Sequence, residues 1–308
     1  MRRVVFCDPS ASDPQPWLDA LRAQLPAMAV ENWSDGAAPA DYAVTWAPSQ
    51  RFIDQQTRLR ALFNVGAGVD RLLRLRLPAG LLVVRLDDAG MAVQMSEYVC
   101  HAISRHFREF AAYEQQALQG AWIRRVPRSR LDFPVGILGL GVLGQRVAAA
   151  LRQFDFPVLG WSRTVRHVEG IRCFAGDADL AQFLAQSQAL VCLLPLTPDT
   201  EGILNRANLS RLPTGAYLVN VARGEHLVDA DLLNLLDHGQ LAGATLDVFR
   251  TEPLPSEHPF WRHPKVRVTP HTSAQTLRME SIAQIAGKIL ALERGEAIAG
   301  VVDLARGY

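Results

Sequence analysis

The stretch that most constrains this chain is VGILGLGVLGQRVAAAL, residues 135–151. Residues 135–138 read as a short strand and 142–151 as a helix. Between and into them run Gly139, Leu140, Gly141, Val142, Leu143 and Gly144. A bare Gly-x-Gly-x-x-Gly is a weak signal, but one wedged between a strand and a helix is specific. Gly139 permits the tight turn, Gly141 lets backbone approach a pyrophosphate, and Gly144 lets the helix pack closely on its sheet. The helix dipole and its first N–H groups then face the phosphates. The stretch therefore predicts an α/β sheet that binds a dinucleotide.

Such a site normally carries an acidic residue about 20 positions on, which accepts hydrogen bonds from the adenosine 2′-hydroxyl. Here the next strand runs into VLGWSRTVRH, residues 158–167. Ser162 and Arg163 occupy the acidic position. A carboxylate there would repel a 2′-phosphate, whereas a guanidinium forks onto its oxygens or stacks on adenine. Ser162 adds a hydroxyl donor and Arg166 a second charge. The expected cofactor is NADP(H), with NAD(H) as the second choice.

Short apolar runs at 4–7, 42–46, 62–65 and 82–86 read as strands separated by helical or turn segments. A second alternation follows, with strands at 135–138, 158–161, 171–174, 189–194, 216–221, 243–248 and 266–269. Helices are expected at 142–153, 178–186, 201–211, 229–238 and 276–293, with Asp229 as N-cap and Gly239 as stop for the fourth. Residues 93–119 lack Gly and Pro and read as one long helix, unbroken or with an interruption, that could serve as a hinge element between two domains. Strands alternating with helices imply parallel sheets.

Composition narrows the functional class. The 308 residues are 49% hydrophobic and 20% charged, with a net charge of +1. That gives ample core for one or two domains and no bulk field for nucleic acid or an anionic membrane. No apolar window approaches a membrane span, and the run at residues 4–7 is too short for a signal peptide. Cys7, Cys100, Cys173 and Cys192 form no Cys-x-x-Cys pair and read as free thiols. A reduced, cytoplasmic setting without a metal centre is expected.

Three later strands each end at a reactive side chain. Arg223 follows one, Asp247 ends the next with Glu252 in the loop beyond, and His271 follows the third. Ligands of open parallel sheets bind beyond the carboxyl ends of the strands. A guanidinium holds a carboxylate through two hydrogen bonds. A histidine delivers a proton near neutral pH, and a neighbouring carboxylate orients it and favours its charged form. Together these groups suit a 2-oxo acid that takes hydride at its carbonyl carbon and a proton at its oxygen.

These segments resemble the D-isomer-specific 2-hydroxyacid dehydrogenases over nearly the whole chain. The match runs through NVGAGVD (64–70), GILGLGVLG (136–144), LPLTPDT (194–200), LVNVARGEHLVDADL (218–232), LDVFRTEPLP (246–255) and TPHTSA (269–274). WSRT, GMAVQMSEY (90–98), LPTGAYLVN (212–220) and DLARGY (303–308) look like the glyoxylate/hydroxypyruvate reductase branch.

The resemblance implies two Rossmann-like or flavodoxin-like parallel-sheet domains with the active site in the cleft between them. The substrate domain would be discontinuous, 1–97 with 275–308, and the nucleotide domain would be 98–274. Arg223 would anchor the substrate carboxylate, and His271 would be the acid/base with Glu252 as its partner. The backbone of Val65, Gly66, Ala67 and Gly68 would cradle the carboxylate, with Trp46 nearby. Met95, Leu194, Pro195, Thr200, Val221, Ala222, Asp247 and Ser273 fall at cofactor positions, as do Arg223 and His271. A homodimer is implied, with the segment around Trp122 as its arm. The rival readings are another member of the family, of the D-lactate or phosphoglycerate type, and a nucleotide-sensing corepressor.

Overall fold

The computed structural model describes residues 1–307, so the last residue of the DLARGY motif, Tyr308, lies outside the described residues. The chain divides into two compact units, Met1–Met91 with Thr276–Tyr308, and Ala92–Gln275.

The first unit is built on five parallel strands: β1 (Arg3–Cys7), β2 (Ala29–Asn32), β3 (Tyr42–Thr45), β4 (Ala61–Asn64) and β5 (Leu82–Val84). Their order is β2-β1-β3-β4-β5, the flavodoxin-like arrangement. β3 and β4 are buried at every position, as parallel strands covered on both faces must be. Val5, Cys7, Ala43, Leu62 and Val83 pack against Phe52 and Ile53 of the helix Gln50–Gln55. β2 is the strand that the apolar runs do not reveal. Its sequence is AVEN, it lies at the sheet edge, and half of it faces solvent. An edge strand needs no continuous apolar run.

The second unit carries seven parallel strands: β6 (Val135–Leu138), β7 (Val158–Ser162), β8 (Arg172–Ala175), β9 (Ala189–Cys192), β10 (Ala216–Asn220), β11 (Leu241–Leu246) and β12 (Val266–Val268). Their order is β12-β11-β10-β9-β6-β7-β8. Counted from β6, this is the Rossmann order 3-2-1-4-5-6 with a seventh strand added. Alternate residues feed two separate core layers. Val135, Ile137, Val191 and Val219 join Val99, Ile103 and Val147 on one face. Leu138, Leu190, Cys192 and Leu218 join Phe183 and Leu236 on the other. A one-residue slip of any central strand would exchange the two sets, so the register is firmly specified.

One local reading is resolved and two are corrected. The helical stretch over 93–119 is the interrupted form, two helices, Met91–Phe107 and Phe110–Leu118. Glu109 between them is left-handed, φ 56°, and its carboxylate pairs with Arg125 and Arg128. The helix over 201–211 contracts to Arg206–Leu209, capped by Asn205, because 197–204 is spent in turns. Asp229 is the first helical residue rather than the N-cap, which is Val228. In that position its charge still meets the positive end of the helix dipole. Gly239, φ 75°, follows that helix as the expected stop.

All four cysteines are free, and three are buried. Burial pushes the Cys7 and Cys192 thiols up to about 12, so they serve as small apolar side chains. Among the described residues no helix is long and apolar enough to cross a membrane, and no cluster of His, Cys, Asp or Glu could hold a metal ion.

Candidate functional site

The glycine loop follows β6 at the point where the strand order reverses, between β6 and β9. This switch point is where open α/β sheets bind ligands. Two of the three glycines are sterically required. Gly139 has φ 103°, and a Cβ on it would meet Leu193 O at 2.8 Å; one on Gly144 would meet Gly139 O at 1.9 Å. Gly141 differs, because a Cβ there would meet nothing within 4 Å. It is exposed, and no side chain caps the helix Val142–Arg152 that it begins. An open face beside uncapped helix N–H groups fits a diphosphate. The loop after β9 lies alongside. There Thr200 Oγ1 donates to Pro195 O at 2.7 Å and accepts from Thr197 N at 2.9 Å. Leu194 and Ala222 share one core layer, and Met95 and Val221 the other.

Arg223, Asp247 and His271 follow the adjacent parallel strands β10, β11 and β12, so all three lie at one edge of the sheet. His271 is left-handed, φ 54°, a conformation for which histidine is enriched among residues with a side chain. Asp247 builds the turn that holds it. Its backbone oxygen accepts from His271 N at 2.8 Å. Its buried carboxylate accepts from Thr269 Oγ1 (2.5 Å), Thr272 N (2.9 Å) and Ser273 N (2.8 Å). A carboxylate has no proton to give, so Thr269 donates to it and Tyr98 must donate to Thr269, 2.5 Å away. Burial raises the Tyr98 phenol to about 12, which keeps that proton in place.

His271 Nδ1 lies 2.9 Å from Glu252 Oε2, and the other Glu252 oxygen accepts from Phe249 N at 3.0 Å. The carboxylate fixes the hydrogen on Nδ1, leaving Nε2 as the atom that gives or takes a proton. Arg223 is tied just as closely. Its Nη1 donates to Ala222 O at 2.6 Å, and Asn220 spans the turn, donating to Arg223 O and accepting from Ala222 N. Gly224 lets this turn press on the Glu252 loop, since a Cβ there would fall 1.8 Å from Phe249 C. His226, fully buried, meets Arg223 N through Nδ1 and Pro195 O through Nε2.

In the first unit, Asn64 ends β4 and shapes the turn after it. Its side-chain amide donates to Gly66 O at 3.2 Å and Gly68 O at 2.9 Å. Val65 N donates to Thr45 O at 2.9 Å, and Gly66 O also accepts from Leu86 N at 3.2 Å, so the turn is tied on both sides. Trp46 covers Gly66, where a Cβ would meet its ring at 2.7 Å. At the end of β7, Ser162 is buried and its hydroxyl donates to Thr164 O at 2.8 Å. Arg163 through His167 are exposed, and Arg163 lies 3.8 Å from Asp199.

Sequence reasoning missed Asn64, Asn220, Thr269, Tyr98 and His226. A signal existed for the two asparagines: each is the polar last residue of an otherwise apolar strand, ALFN and AYLVN.

The D-isomer specific 2-hydroxyacid dehydrogenase NAD-binding domain model matches residues 100–273. A glyoxylate/hydroxypyruvate reductase A of Serratia proteamaculans is 48% identical over 299 residues, 95% of this chain and 96% of its own. A D-isomer specific 2-hydroxyacid dehydrogenase of Xanthobacter autotrophicus, solved with NADPH and MES, superposes with a TM-score of 0.94 at 38% identity, covering 100% of this chain and 99% of that one. An NADPH-dependent glyoxylate/hydroxypyruvate reductase of Sinorhizobium meliloti, solved with NADP and sulfate, gives 0.93 at 35% identity, covering both chains fully. This chain belongs to the D-isomer-specific 2-hydroxyacid dehydrogenase family, NAD(P)-dependent oxidoreductases built on two parallel-sheet α/β domains.

Proposed function

We propose that this enzyme reduces small 2-oxo acids, glyoxylate to glycolate and hydroxypyruvate to D-glycerate, with NADPH preferred over NADH. The observation that carries the reading is the Phe249–Glu252–His271 relay on the sheet edge that also holds Arg223. The nucleotides bound by the Xanthobacter and Sinorhizobium structures support the cofactor choice. We assign 92–275 to the cofactor and 1–91 with 276–307 to the substrate. The 139–144 loop, with Leu194, Pro195 and Thr200, would hold the cofactor, and Arg163 would meet its 2′-phosphate. NADPH, when bound, supplies the hydride for the carbonyl carbon.

The chain's own residues do the rest. Arg223 binds the substrate carboxylate with its planar fork and polarises the carbonyl. In the first unit, the turn at Val65, Gly66, Ala67 and Gly68, set by Asn64, is our candidate for a second substrate contact. His271, oriented by Glu252, gives its Nε2 proton to the developing alkoxide. The ordered turn beneath it keeps the imidazole aimed without reorganisation during the reaction.

We also place the chain in a cytoplasmic homodimer. Trp122, Ile123, Val126 and Leu131 are exposed along one segment, with Trp122 at 94%, which suits burial by a second copy. The test of the function is a panel of two cofactors against several 2-oxo acids, followed by nicotinamide absorbance. Fast oxidation of NADPH with glyoxylate or hydroxypyruvate is expected. Tight NADPH binding without oxidation by any 2-oxo acid would replace this reading with a sensing role.

A further inference from the structure

We propose that His226 is a positioning residue that couples the substrate anchor Arg223 to the cofactor loop at Pro195, one ring nitrogen serving each. This rests on the function proposed above. His226 has no exposed surface, so its ring sees only protein. Nε2 lies 3.3 Å from Pro195 O, and Nδ1 lies 3.2 Å from both Arg223 N and Arg223 O. Pro195 O and Arg223 O can only accept, and Arg223 N can only donate. Arg223 O already accepts from Asn220 Nδ2 and His226 N, so a hydrogen on Nε2 satisfies every group, whereas one on Nδ1 would leave Arg223 N–H and Pro195 O without the ring. In a neutral ring Nδ1 is then an acceptor, and its bond is the one from Arg223 N–H. Burial lowers the affinity of this ring for a second proton.

The backbones joined by the ring are also laced together. Gly202 N donates to Glu225 O at 2.9 Å, Leu204 N to His226 O at 2.9 Å, and Val228 N to Leu204 O at 3.2 Å. Thr200 Oγ1 shares Pro195 O with the ring. The 195–204 and 223–228 segments thus form one body, and His226 is the side chain that reaches the working end of each. Arg223 would therefore keep its aim only while the Pro195 loop keeps its place.

Two substitutions divide the ring's work. His226→Asn keeps an acceptor near the Nδ1 position and is too short for Pro195. His226→Gln carries an amide N–H to the Nε2 position and offers Arg223 N–H no acceptor there. One buried hydrogen bond sets the scale at about tenfold. His226→Asn is expected to weaken NADPH binding about tenfold by fluorescence titration, with the KM for glyoxylate within about twofold. His226→Gln is expected to keep the NADPH Kd within about twofold while kcat/KM for glyoxylate falls about tenfold. Equal shifts in both parameters for both variants, or none in either, would overturn the coupling and leave a core histidine. Should both variants lose their fold, nitrogen NMR of the histidine-labelled wild-type protein decides. A buried imidazole protonated at Nε2 supports the proposal, and protonation at Nδ1 overturns it. Absence of 2-oxo acid reduction by the wild-type protein strikes the function alone, because the NADPH titration and the tautomer still report on His226.

Discussion

The ends of β10, β11 and β12 and the end of β7 belong to the same sheet, yet they are built in opposite ways. At the first, nearly every group around Arg223 and His271 is fastened. Asp247 binds three donors of one turn, Asn220 spans another, and Glu252 bridges Phe249 N to His271. At the second, Ser162 is buried and turned to its own backbone, while Arg163 to His167 stand in solvent. The difference matches the two tasks we propose for them. Proton and hydride transfer fail when groups stray by an ångström, so their site is ordered in advance. A phosphate dianion attracts a long flexible guanidinium across a range of geometries, so its reader needs little scaffolding. Changes at the fastened end should therefore appear in turnover, and changes at the loose end in cofactor choice.

The largest effects are expected from His271→Ala and Arg223→Ala. Loss of the proton donor should lower kcat about a thousandfold, within the range of general acid catalysis. Loss of the guanidinium should cost a similar factor in kcat/KM for glyoxylate, about 4 kcal/mol of transition-state binding. Steady-state rates with saturating NADPH measure both, and near-normal turnover in either would break the comparison at its fastened end. Gly144→Ala comes next. Its methyl would have to displace Gly139 O, a backbone atom 1.9 Å away, and the loop would move with it. NADPH affinity should fall about a hundredfold, and stability by about 1–3 kcal/mol from the overpacking. Unchanged affinity by calorimetry would show that the loop is not the cofactor seat. Glu252→Gln keeps the contact with His271 and removes its charge. Charge-assisted hydrogen bonds contribute about 1.5–3 kcal/mol, so kcat should fall about ten- to a hundredfold with NADPH affinity unchanged.

The two ends also differ in how readily the sequence reveals them. Gly139 and Gly144 announce themselves because a positive φ and two close approaches admit no other residue, and Gly141 completes the spacing. Arg223, Glu252 and His271 stand out because reactive groups follow apolar strands at fixed places. What fastens them is nearly silent. Thr269 and Tyr98 lie 171 residues apart and meet only once β12 has docked beside β11. His226 reads as one more residue of a polar turn until Pro195 is brought above it. The edge strand β2 and the break at Glu109 are hidden for related reasons. One has half its surface in water, and the other is decided by Arg125 and Arg128 from a later segment. Local pattern records what the backbone needs, whereas side-chain bonds between distant segments leave no period to read.

The smallest effect is the one that separates the two ends most sharply. Arg163→Asp removes the guanidinium that lies 3.8 Å from Asp199 and puts a shorter, acidic side chain in its place. The 2′-phosphate of NADPH would then lose its cation and meet a like charge. For NADH the same carboxylate would accept from the ribose hydroxyls, as an acidic residue does in NAD-binding members of this fold class. Arg163 is exposed, so solvent and salt screen its charge and the lower end of the charge-assisted range applies. The KM for NADPH should rise about tenfold. The KM for NADH should hold or fall, and kcat at saturating NADPH should stay within about twofold, because no fastened group has moved. A parallel rise in both KM values would make residues 162–167 a solvated turn without a part in cofactor choice. A fall in kcat with either cofactor would mean that the loose end reaches the chemistry, and the division between aiming and reading would fail.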